Sequence, residues 1–299
     1  MIPFLDIHVL THYHTAAMPP SPRVLLSIDY EPWFSIVHRY DSLIGPSERR
    51  TLDGGFTLRA LDPILEKLGD SKASFYLVGE IAQWHPEIPQ KILSAGHELG
   101  FHCHIHRSLI NVSELRADIR ASASWCREYN VHGYRSPMVD ISEAAYPMLA
   151  EAGFLYSSSI YAPAGTLIQK GKIWELPVST LRLYGRGENY HAPRGFSMRL
   201  LGGGEIPYGS SFSIGIMGGM ILKILERELK AGNSPVIILH PYELVTPLNW
   251  PSRFQDLMRD PLMWPFTWNK SDFLSDLLRS LPVSPLGTYL NEILKVPVI

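Results

Sequence analysis

The chain has little cysteine, no marked excess of charge and no long apolar run. Its two cysteines, Cys103 and Cys126, are too few for a disulfide framework or a thiolate zinc site, and they fit a reducing compartment. A formal net charge of −2 gives no electrostatic reason to expect nucleic acid as a partner. We find no run of about 18 uncharged apolar residues, so the sequence predicts no transmembrane helix.

The N-terminus also lacks the features of a targeting segment. Residues 1–22 contain no basic region followed by an apolar core, which argues against a secretory signal peptide. We therefore expect a flexible leader over residues 1–22 and a single domain over residues 23–299. The lack of a signal peptide favours a cytoplasmic protein, and it leaves peripheral contact with a membrane open.

What the chain does contain is an alternation of strand-length apolar runs with segments of helical period. The predicted strands are 24–28, 73–78, 98–104, 131–135, 155–160, 173–178 and 236–239. The predicted helices are 56–68, 81–95, 113–129 with Ser113 as N-cap, 142–152, 216–230 and 271–280. This order predicts an α/β fold, a distorted (β/α) barrel of about seven parallel strands. The glycine-rich stretch 187–213 is interpreted as an irregular insertion.

Ionisable side chains lie at or just after the ends of several predicted strands, namely Asp29, Glu31, His102, His104, His106, Arg135 and His240. Active sites of parallel barrels form at the carboxyl ends of the strands, so these side chains are candidates for one site. Side chains at i, i+2 and i+4 of an extended strand point the same way. By that alternation the Asp29 and Glu31 pair can face one cavity, and so can the three histidines.

The residue types in this group suit a hydrolytic metal centre. Imidazole nitrogens with one carboxylate oxygen are a common open ligand set for a divalent metal. A second carboxylate beside the metal could act as the base that activates water. A single aspartate or histidine at a strand end is usually structural, but three histidines at a spacing of two are much less often idle.

These motifs, in this order, resemble the polysaccharide deacetylase family, also called the NodB-homology domain or carbohydrate esterase family 4. The resemblance runs from about Val24 to Glu243. The stretches that carry it are Asp29-Tyr-Glu31, Ala73–Gly79, Gly96–His106, Gly133–Pro137, Gly153–Ser159, Glu175–Val178 and Ile238–Glu243.

The resemblance implies a metal centre with a defined set of ligands. The family's metal-binding carboxylate matches Glu31, although many members have Asp-Asp where this chain has Asp-Tyr-Glu. The family's His-x3-His pair matches His102 and His106, whereas His104 is not a family ligand. One divalent cation is implied, with zinc as the first choice and Co²⁺, Mn²⁺, Fe²⁺ or Ni²⁺ as alternatives.

The resemblance also implies the catalytic groups. Asp29 matches the catalytic base, Arg135 matches the residue that holds the base by a salt bridge, and His240 matches the general acid. The N–H near Met138 matches the oxyanion donor. The family's fourth motif often places Asp and Trp near the acid, but this chain has Tyr156-Ser-Ser-Ser159 there. The motif therefore leaves the group that supports His240 unidentified.

The implied activity is metal-dependent removal of an N-acetyl or similar N-acyl group from an amino sugar. The sugar would belong to a polysaccharide, an oligosaccharide or a lipid-linked glycan precursor. One alternative is a metal-dependent amidase of the same fold that acts on a small non-carbohydrate amide. Another is a non-catalytic carbohydrate-binding relative, although binding alone needs no Asp29, Arg135 and His240. An amidohydrolase-type barrel would place its His-x-His after the first strand, which this chain does not.

Overall fold

The strands of the protein form one large curved sheet and one small sheet. The computed structural model describes residues 20–36, 45–183, 204–248, 258 and 263–295. In those ranges the strands are β1 (Val24–Tyr30), β2 (Ser74–Val78), β3 (Glu98–Cys103), β4 (Gly133–Tyr134), β5 (Tyr156–Ser157), β6 (Tyr161–Pro163), β7 (Ile168–Lys170), β8 (Ile173–Glu175), β9 (Val178–Arg182), β10 (Glu205–Ile206), β11 (Val236–Leu239) and β12 (Val283–Ser284).

Helices connect most of these strands. They are α1 (Pro46–Asp53), α2 (Phe56–Leu68), α3 (Gly79–Trp84), α4 (Glu87–Ser94), α5 (Val112–Glu128), α6 (Ala145–Glu151), α7 (Ser211–Met217), α8 (Gly219–Lys230), α9 (Pro241–Leu244), α10 (Trp264–Thr267), α11 (Ser271–Ser280) and α12 (Leu286–Leu294). Two 3₁₀ turns cover Trp33–Ile36 and Pro137–Val139. Within the described ranges, no helix is both long and apolar enough to cross a bilayer.

The large sheet has the strand order β11-β1-β2-β3-β4-β5-β8-β7, with β12 paired to β1. Neighbouring strands from β11 to β8 run parallel, and only β7 runs antiparallel to its neighbour β8. Every residue of β1 and β2 is buried, which explains their nearly continuous apolar sequence, since a parallel sheet is covered on both faces. The prediction of an α/β distorted barrel with about seven parallel strands is confirmed.

The small sheet, in the order β10-β9-β6, lies beside the β11 edge of the large one. Gly209 links the two: its carbonyl accepts from Ile238 N–H at 2.8 Å, and its N–H donates to Ser179 O at 2.9 Å. A Cβ at position 209 would lie 2.3 Å from Val236 O, so only glycine fits between the two strands. The predicted insertion begins in residues 187–203, which lie outside the described residues. Its end, by contrast, contains β10 and the first turn of α7.

Three helix predictions were wrong in their boundaries. The segment predicted as one helix over 81–95 is broken at His85 and Pro86 into α3 and α4, because proline lacks the N–H that a helix interior needs. The predicted helix 216–230 is likewise divided at Gly218, which has φ 49°. Asn111 rather than Ser113 is the N-cap of α5, and its side chain accepts from Ser113 N–H at 2.9 Å.

Candidate metal centre and active site

The carboxyl end of β1 supplies two buried carboxylates. Asp29 is the second-last residue of the strand, and Glu31 follows its end. Tyr30 between them points to the opposite side, where its hydroxyl donates to Thr57 O on α2. The expected alternation therefore holds, and Asp29 and Glu31 line the same cavity.

Glu31 meets two histidine rings from the end of β3. Glu31 Oε2 lies 2.9 Å from His106 Nε2 and 3.6 Å from His102 Nε2. The three side chains are buried, and one ligand atom from each falls within 4.8 Å of the others. Burial opposes ionisation, but the charges of His106 and His240 and the nearby His102 ring hold the pKa of Glu31 well below its ordinary value.

The donor set fits a divalent metal. The buried Glu31 Oε2 faces the ring nitrogens of His106 and His102. His102 Nδ1 lies 2.7 Å from Arg135 O, and because a carbonyl only accepts, Nδ1 carries the proton. His102 Nε2 is thus left as a lone-pair donor facing Glu31. Two imidazoles and one carboxylate, each with one atom within 4.8 Å of the others, match an open zinc-type ligand set.

His104 does not join this group. Its Nδ1 lies 3.0 Å from Ser122 Oγ on α5, on the other side of the strand end from the cavity. The expectation that all three histidines face one cavity is therefore wrong for His104. The physical reason is that β3 ends at Cys103, so the alternation of an extended strand stops before residue 104.

Asp118 on α5 holds the turn that follows β3. Its carboxylate accepts the backbone N–H groups of His104, through Oδ2 at 2.5 Å, and Ile105, through Oδ1 at 3.3 Å. This anchoring returns the chain so that His106 again faces the cavity. Asp118 has no distinguishing signal in the sequence, because an aspartate in an amphipathic helix ordinarily faces solvent.

Arg135 follows β4 and is fully buried. Its Nη1 lies 3.4 Å from Asp29 Oδ1 and 3.5 Å from Oδ2, so the predicted contact between these two side chains is present. Its Nη2 donates to Ser158 Oγ at 2.8 Å, and the guanidinium lies 4.8 Å from the centre of the Tyr76 ring. Arg135 thus contacts Asp29 through its guanidinium and His102 through its backbone carbonyl.

His240, just after β11, lies across the cavity from these groups. Its Nε2 is 3.8 Å from Glu31 Oε1, and its ring stacks on Tyr242 with centroids 5.1 Å apart. Tyr242 in turn donates to Glu31 Oε1 at 2.8 Å. Burial is the largest single influence and would lower the pKa of His240, but the carboxylates of Glu243, Glu31 and Asp29 together outweigh it and raise that pKa. The protonated imidazole is therefore favoured.

The loop after Arg135 has a strained backbone. Met138 and Val139 have φ values of 59° and 53°, which are unfavourable for side chains larger than glycine and especially for a β-branched one. Ser159 Oγ accepts from Ser136 N–H at 2.8 Å and ties this loop to the end of β5. The serines that stand in place of the family's fourth motif therefore hold the Met138 loop and, through Ser158, Arg135.

These groups line one cavity of about 300 Å³. Besides the ionisable residues, its walls are mainly apolar, and they include Ile36, Met138, Val139, Tyr161, Phe212, Ile238, Tyr242, Met263 and Phe266. Asp29 and Glu31 from β1, His102 and His106 from β3, and His240 from β11 all reach it. Such a cavity can hold a metal, a base and an acid around one small polar group of a substrate.

Comparison with known proteins tests the resemblance that the motifs indicate. Residues 51–157 match the model of the family described as polysaccharide deacetylase. This segment contains His102, His106 and Arg135, whereas Asp29, Glu31 and His240 fall outside it. The resemblance inferred from the motifs is thereby confirmed.

Individual relatives agree with the family. A peptidoglycan-N-acetylglucosamine deacetylase of Bacillus cereus is 36% identical over 88 residues, which cover 27% of this chain and 32% of that protein. The match thus spans about a third of that relative's length.

Two solved structures share the fold. A Mycobacterium smegmatis protein assigned as a polysaccharide deacetylase matches with a TM-score of 0.51 and 19% identity, over 91% of this chain and 96% of that one. Puue Allantoinase matches with a TM-score of 0.52 and 16% identity, over 93% and 97%. At these identities the matches speak for the fold alone.

Proposed function

We propose that the chain is a metal-dependent deacetylase that removes N-acetyl groups from amino sugars. The observation that carries this proposal is the convergence of the Glu31, His102 and His106 cluster with Asp29 and His240 in one cavity. The family match supports deacetylation, and the name of the Bacillus cereus relative supports an N-acetylglucosamine unit as the substrate. The sugar can belong to a polymer, an oligosaccharide or a lipid-linked precursor.

In this proposal Glu31, His102 and His106 hold one divalent cation, with zinc as the first choice. When bound, the cation supplies Lewis-acid chemistry to a water molecule and to the substrate carbonyl. The His102 ring keeps its orientation through the bond from Nδ1 to Arg135 O, and Glu31 keeps its own through Tyr242. The chain therefore fixes two of the three ligands by contacts outside the centre.

Asp29 is the proposed base. It removes a proton from the attacking water while Arg135 keeps its carboxylate pointed into the cavity. A positioned base contributes about 10²–10⁴-fold to the rate. The Met138 N–H is the proposed donor to the oxyanion that develops on the carbonyl, a contribution of about 3–4 kcal/mol for one such donor. The positive φ of Met138 supports this role, because strained backbone conformations cluster at functional sites and Met138 lines the cavity.

His240 is the proposed acid. Its Nε2 faces the cavity, and its raised pKa favours the protonated ring, which can deliver a proton to the leaving amine nitrogen. Asp29 lies near the end of β1, and His240 lies just after β11. The two proton transfers can therefore proceed at different atoms of the amide, as hydrolysis of an unactivated amide requires.

A second candidate is hydrolysis of a small non-carbohydrate amide. The observation in its favour is the cavity itself, which is about 300 Å³ and has Ile36, Met138, Phe212 and Phe266 in its walls. A pyranose ring presents several hydroxyl groups, whereas apart from the metal and catalytic groups slightly more than half of the residues that line the cavity are apolar.

The deciding experiment measures product release from a panel of amides. The panel contains oligomers of N-acetylglucosamine, a nucleotide-linked and a lipid-linked N-acetylated sugar, and allantoin. Each is incubated with protein stripped by a chelator and with the same protein after zinc is restored. We expect acetate from a sugar substrate only after zinc is restored, and none from the Asp29→Asn variant.

Three outcomes separate the alternatives. Hydrolysis of allantoin alone would replace the sugar by a small amide. Sugar binding without acetate release would indicate a non-catalytic relative. Full acetate release by chelator-treated, zinc-free protein would contradict the metal dependence.

A further inference from the structure

Two buried residues of opposite charge lie directly behind His240. Glu243 on α9 and Lys270 before α11 are fully and almost fully buried, and Lys270 Nζ lies 2.7 Å from Glu243 Oε1. The other carboxylate oxygen, Oε2, lies 3.1 Å from His240 Nδ1. Burial of this ion pair costs desolvation free energy, so its position beside the candidate acid suggests a role other than stability.

The position of Glu243 follows from the start of α9. His240 is the N-cap, Pro241 occupies the first helical position, and Glu243 is the third helical residue, so a capping box forms. Its Oε2 accepts the backbone N–H of His240 at 2.8 Å as well as facing the ring nitrogen. The carboxylate is thus held at a fixed place beneath the imidazole.

Lys270 is bound on all three of its N–H donors. Its Nζ donates to Glu243 Oε1, to Pro265 O at 2.8 Å and to Trp268 O at 3.3 Å. Its backbone N–H also donates to Glu243 O at 2.6 Å. The ammonium therefore determines which carboxylate oxygen remains for His240, and it fixes the α10 segment whose Phe266 ring lies 6.0 Å from the His240 ring.

A second group also reaches His240 Nδ1. Ser211 Oγ, in the first turn of α7, lies 3.1 Å from the same nitrogen. A neutral Nδ1 could accept from this hydroxyl, whereas a protonated Nδ1 donates to the carboxylate. When Nδ1 accepts, Nε2 carries the single proton of the neutral ring. When Nδ1 donates, Nε2 carries the lone pair of the neutral ring or the second proton of the charged ring.

We propose that Glu243 and Lys270 are positioning residues for His240: Glu243 accepts the Nδ1 proton and aims Nε2 into the cavity, and Lys270 orients Glu243. The proposal rests on the proposed role of His240 as the acid. It supplies the supporting group that Tyr156-Ser-Ser-Ser159 does not provide in this chain. Lys270 also fixes the segment that contains Phe266, so the His240 ring is contacted by the Glu243 carboxylate on one side and by the Phe266 ring on another.

Glu243→Gln is a diagnostic substitution because it keeps the shape and removes one acceptor. The charged ammonium of Lys270 competes for the amide oxygen more strongly than the neutral backbone N–H of His240 does, so the oxygen stays with Lys270 and the amide NH₂ turns toward His240 Nδ1. A donor at Nδ1 forces the opposite tautomer, in which Nε2 carries the proton of a neutral ring and is a poor acid. Adding Lys270→Met lets the amide turn back, and its oxygen can again accept from Nδ1.

The experiment compares wild type, Glu243→Gln and the Glu243→Gln/Lys270→Met double variant as zinc-restored full chains. Acetate release from the best N-acetylated sugar of the panel gives kcat, and ¹⁵N spectra of histidine-labelled protein give the tautomer of His240, assigned with His240→Ala. The double variant removes both buried charges together, so it avoids the unpaired carboxylate that Lys270→Met alone would leave. The exposed pair on α8 supplies the matched control, Glu226→Gln/Lys230→Met.

We expect Glu243→Gln to lose about 10²–10⁴-fold in kcat, as loss of a general acid does, with little change in KM. In wild type, His240 should carry a proton on Nδ1 in both the charged and the neutral ring, whereas in Glu243→Gln the signals should move to the neutral Nε2–H form. The double variant should recover at least a tenth of the lost activity and return to Nδ1–H, and the control pair should match wild type. Retention of Nδ1–H with kcat within twofold of wild type in Glu243→Gln would overturn the proposal.

The two readouts keep this proposal separate from the proposed function. If wild type releases acetate from no sugar, the deacetylase assignment fails, yet the tautomer spectra still decide whether Glu243 and Lys270 orient His240. If the double variant stays in the Nε2–H form, Lys270 does not orient Glu243, and that part of the proposal is refuted.

Discussion

Replacing Arg135 by methionine should destabilise the metal-stripped protein, because it leaves Asp29 as a buried carboxylate with no cation at its side. Arg135 is fully buried, and Asp29 is 4% exposed, so water cannot take over the lost contact. Methionine keeps much of the volume and the apolar contact with Tyr76, which limits the change mainly to charge and hydrogen bonds.

The size of the effect follows from the geometry. At the 3.4 Å between Arg135 Nη1 and Asp29 Oδ1, two unit charges attract by about 5 kcal/mol at an effective dielectric of about 20. Removal of one partner from a buried pair typically costs about 3–5 kcal/mol. The bond to Ser158 Oγ at 2.8 Å adds a smaller loss of about 1–3 kcal/mol. We expect a total loss near the upper end of about 3–5 kcal/mol, since such contributions are not additive.

Urea unfolding followed by circular dichroism, in the presence of a chelator, gives the free energies. Asp29→Asn added to Arg135→Met should restore part of the stability, because a neutral amide needs no cation. Arg279→Met, at an exposed cation of α11, serves as the control and should stay within about 0.5 kcal/mol of wild type. A loss below about 1 kcal/mol for Arg135→Met, or no recovery in the double variant, would refute the reasoning.

Three further outcomes test the centre. His102→Ala and His106→Ala should each lose zinc in elemental analysis while His104→Ala keeps it, because the His104 ring faces α5; full zinc in either of the first two would contradict the ligand set. Asp29→Asn should keep zinc and lose about 10²–10⁴-fold in turnover, and an active variant would mean that another group is the base. His240→Ala should slow an N-acetyl sugar far more than an amide with a good leaving group, and equal slowing would show that His240 only positions the substrate.

Elements with a strong local pattern could be predicted from the sequence almost to the residue. The strand β11 and the helix α11 have the predicted bounds, Val236–Leu239 and Ser271–Ser280. In β11 an unbroken apolar run of three β-branched residues and a leucine indicated the strand, and in α11 an amphipathic period indicated the helix. The strand β4, by contrast, has only two residues within the predicted 131–135, because pairing in the sheet sets its length.

The candidate site shows the same division. The approach of Asp29, Glu31 and His102 could be inferred because parallel strands bring their carboxyl ends to one edge. The direction of His104 could not, since it depends on where β3 stops and on Ser122, 18 residues later. Lys270 lies 27 residues after Glu243 and follows no motif, so only the folded chain shows that the two meet.

The four residues from His240 to Glu243 carry a consequence for how this chain can vary. His240 faces the cavity, Tyr242 donates to Glu31, and Glu243 lies beside His240 Nδ1. Residues within one short segment therefore supply the proposed acid, its supporting carboxylate and the group that orients a proposed metal ligand. Deletion or insertion of a single residue here would shift all of these side chains around the helix by about 100°. Changes in length should therefore be absent from this segment among working relatives, even where the surrounding loops differ freely in length.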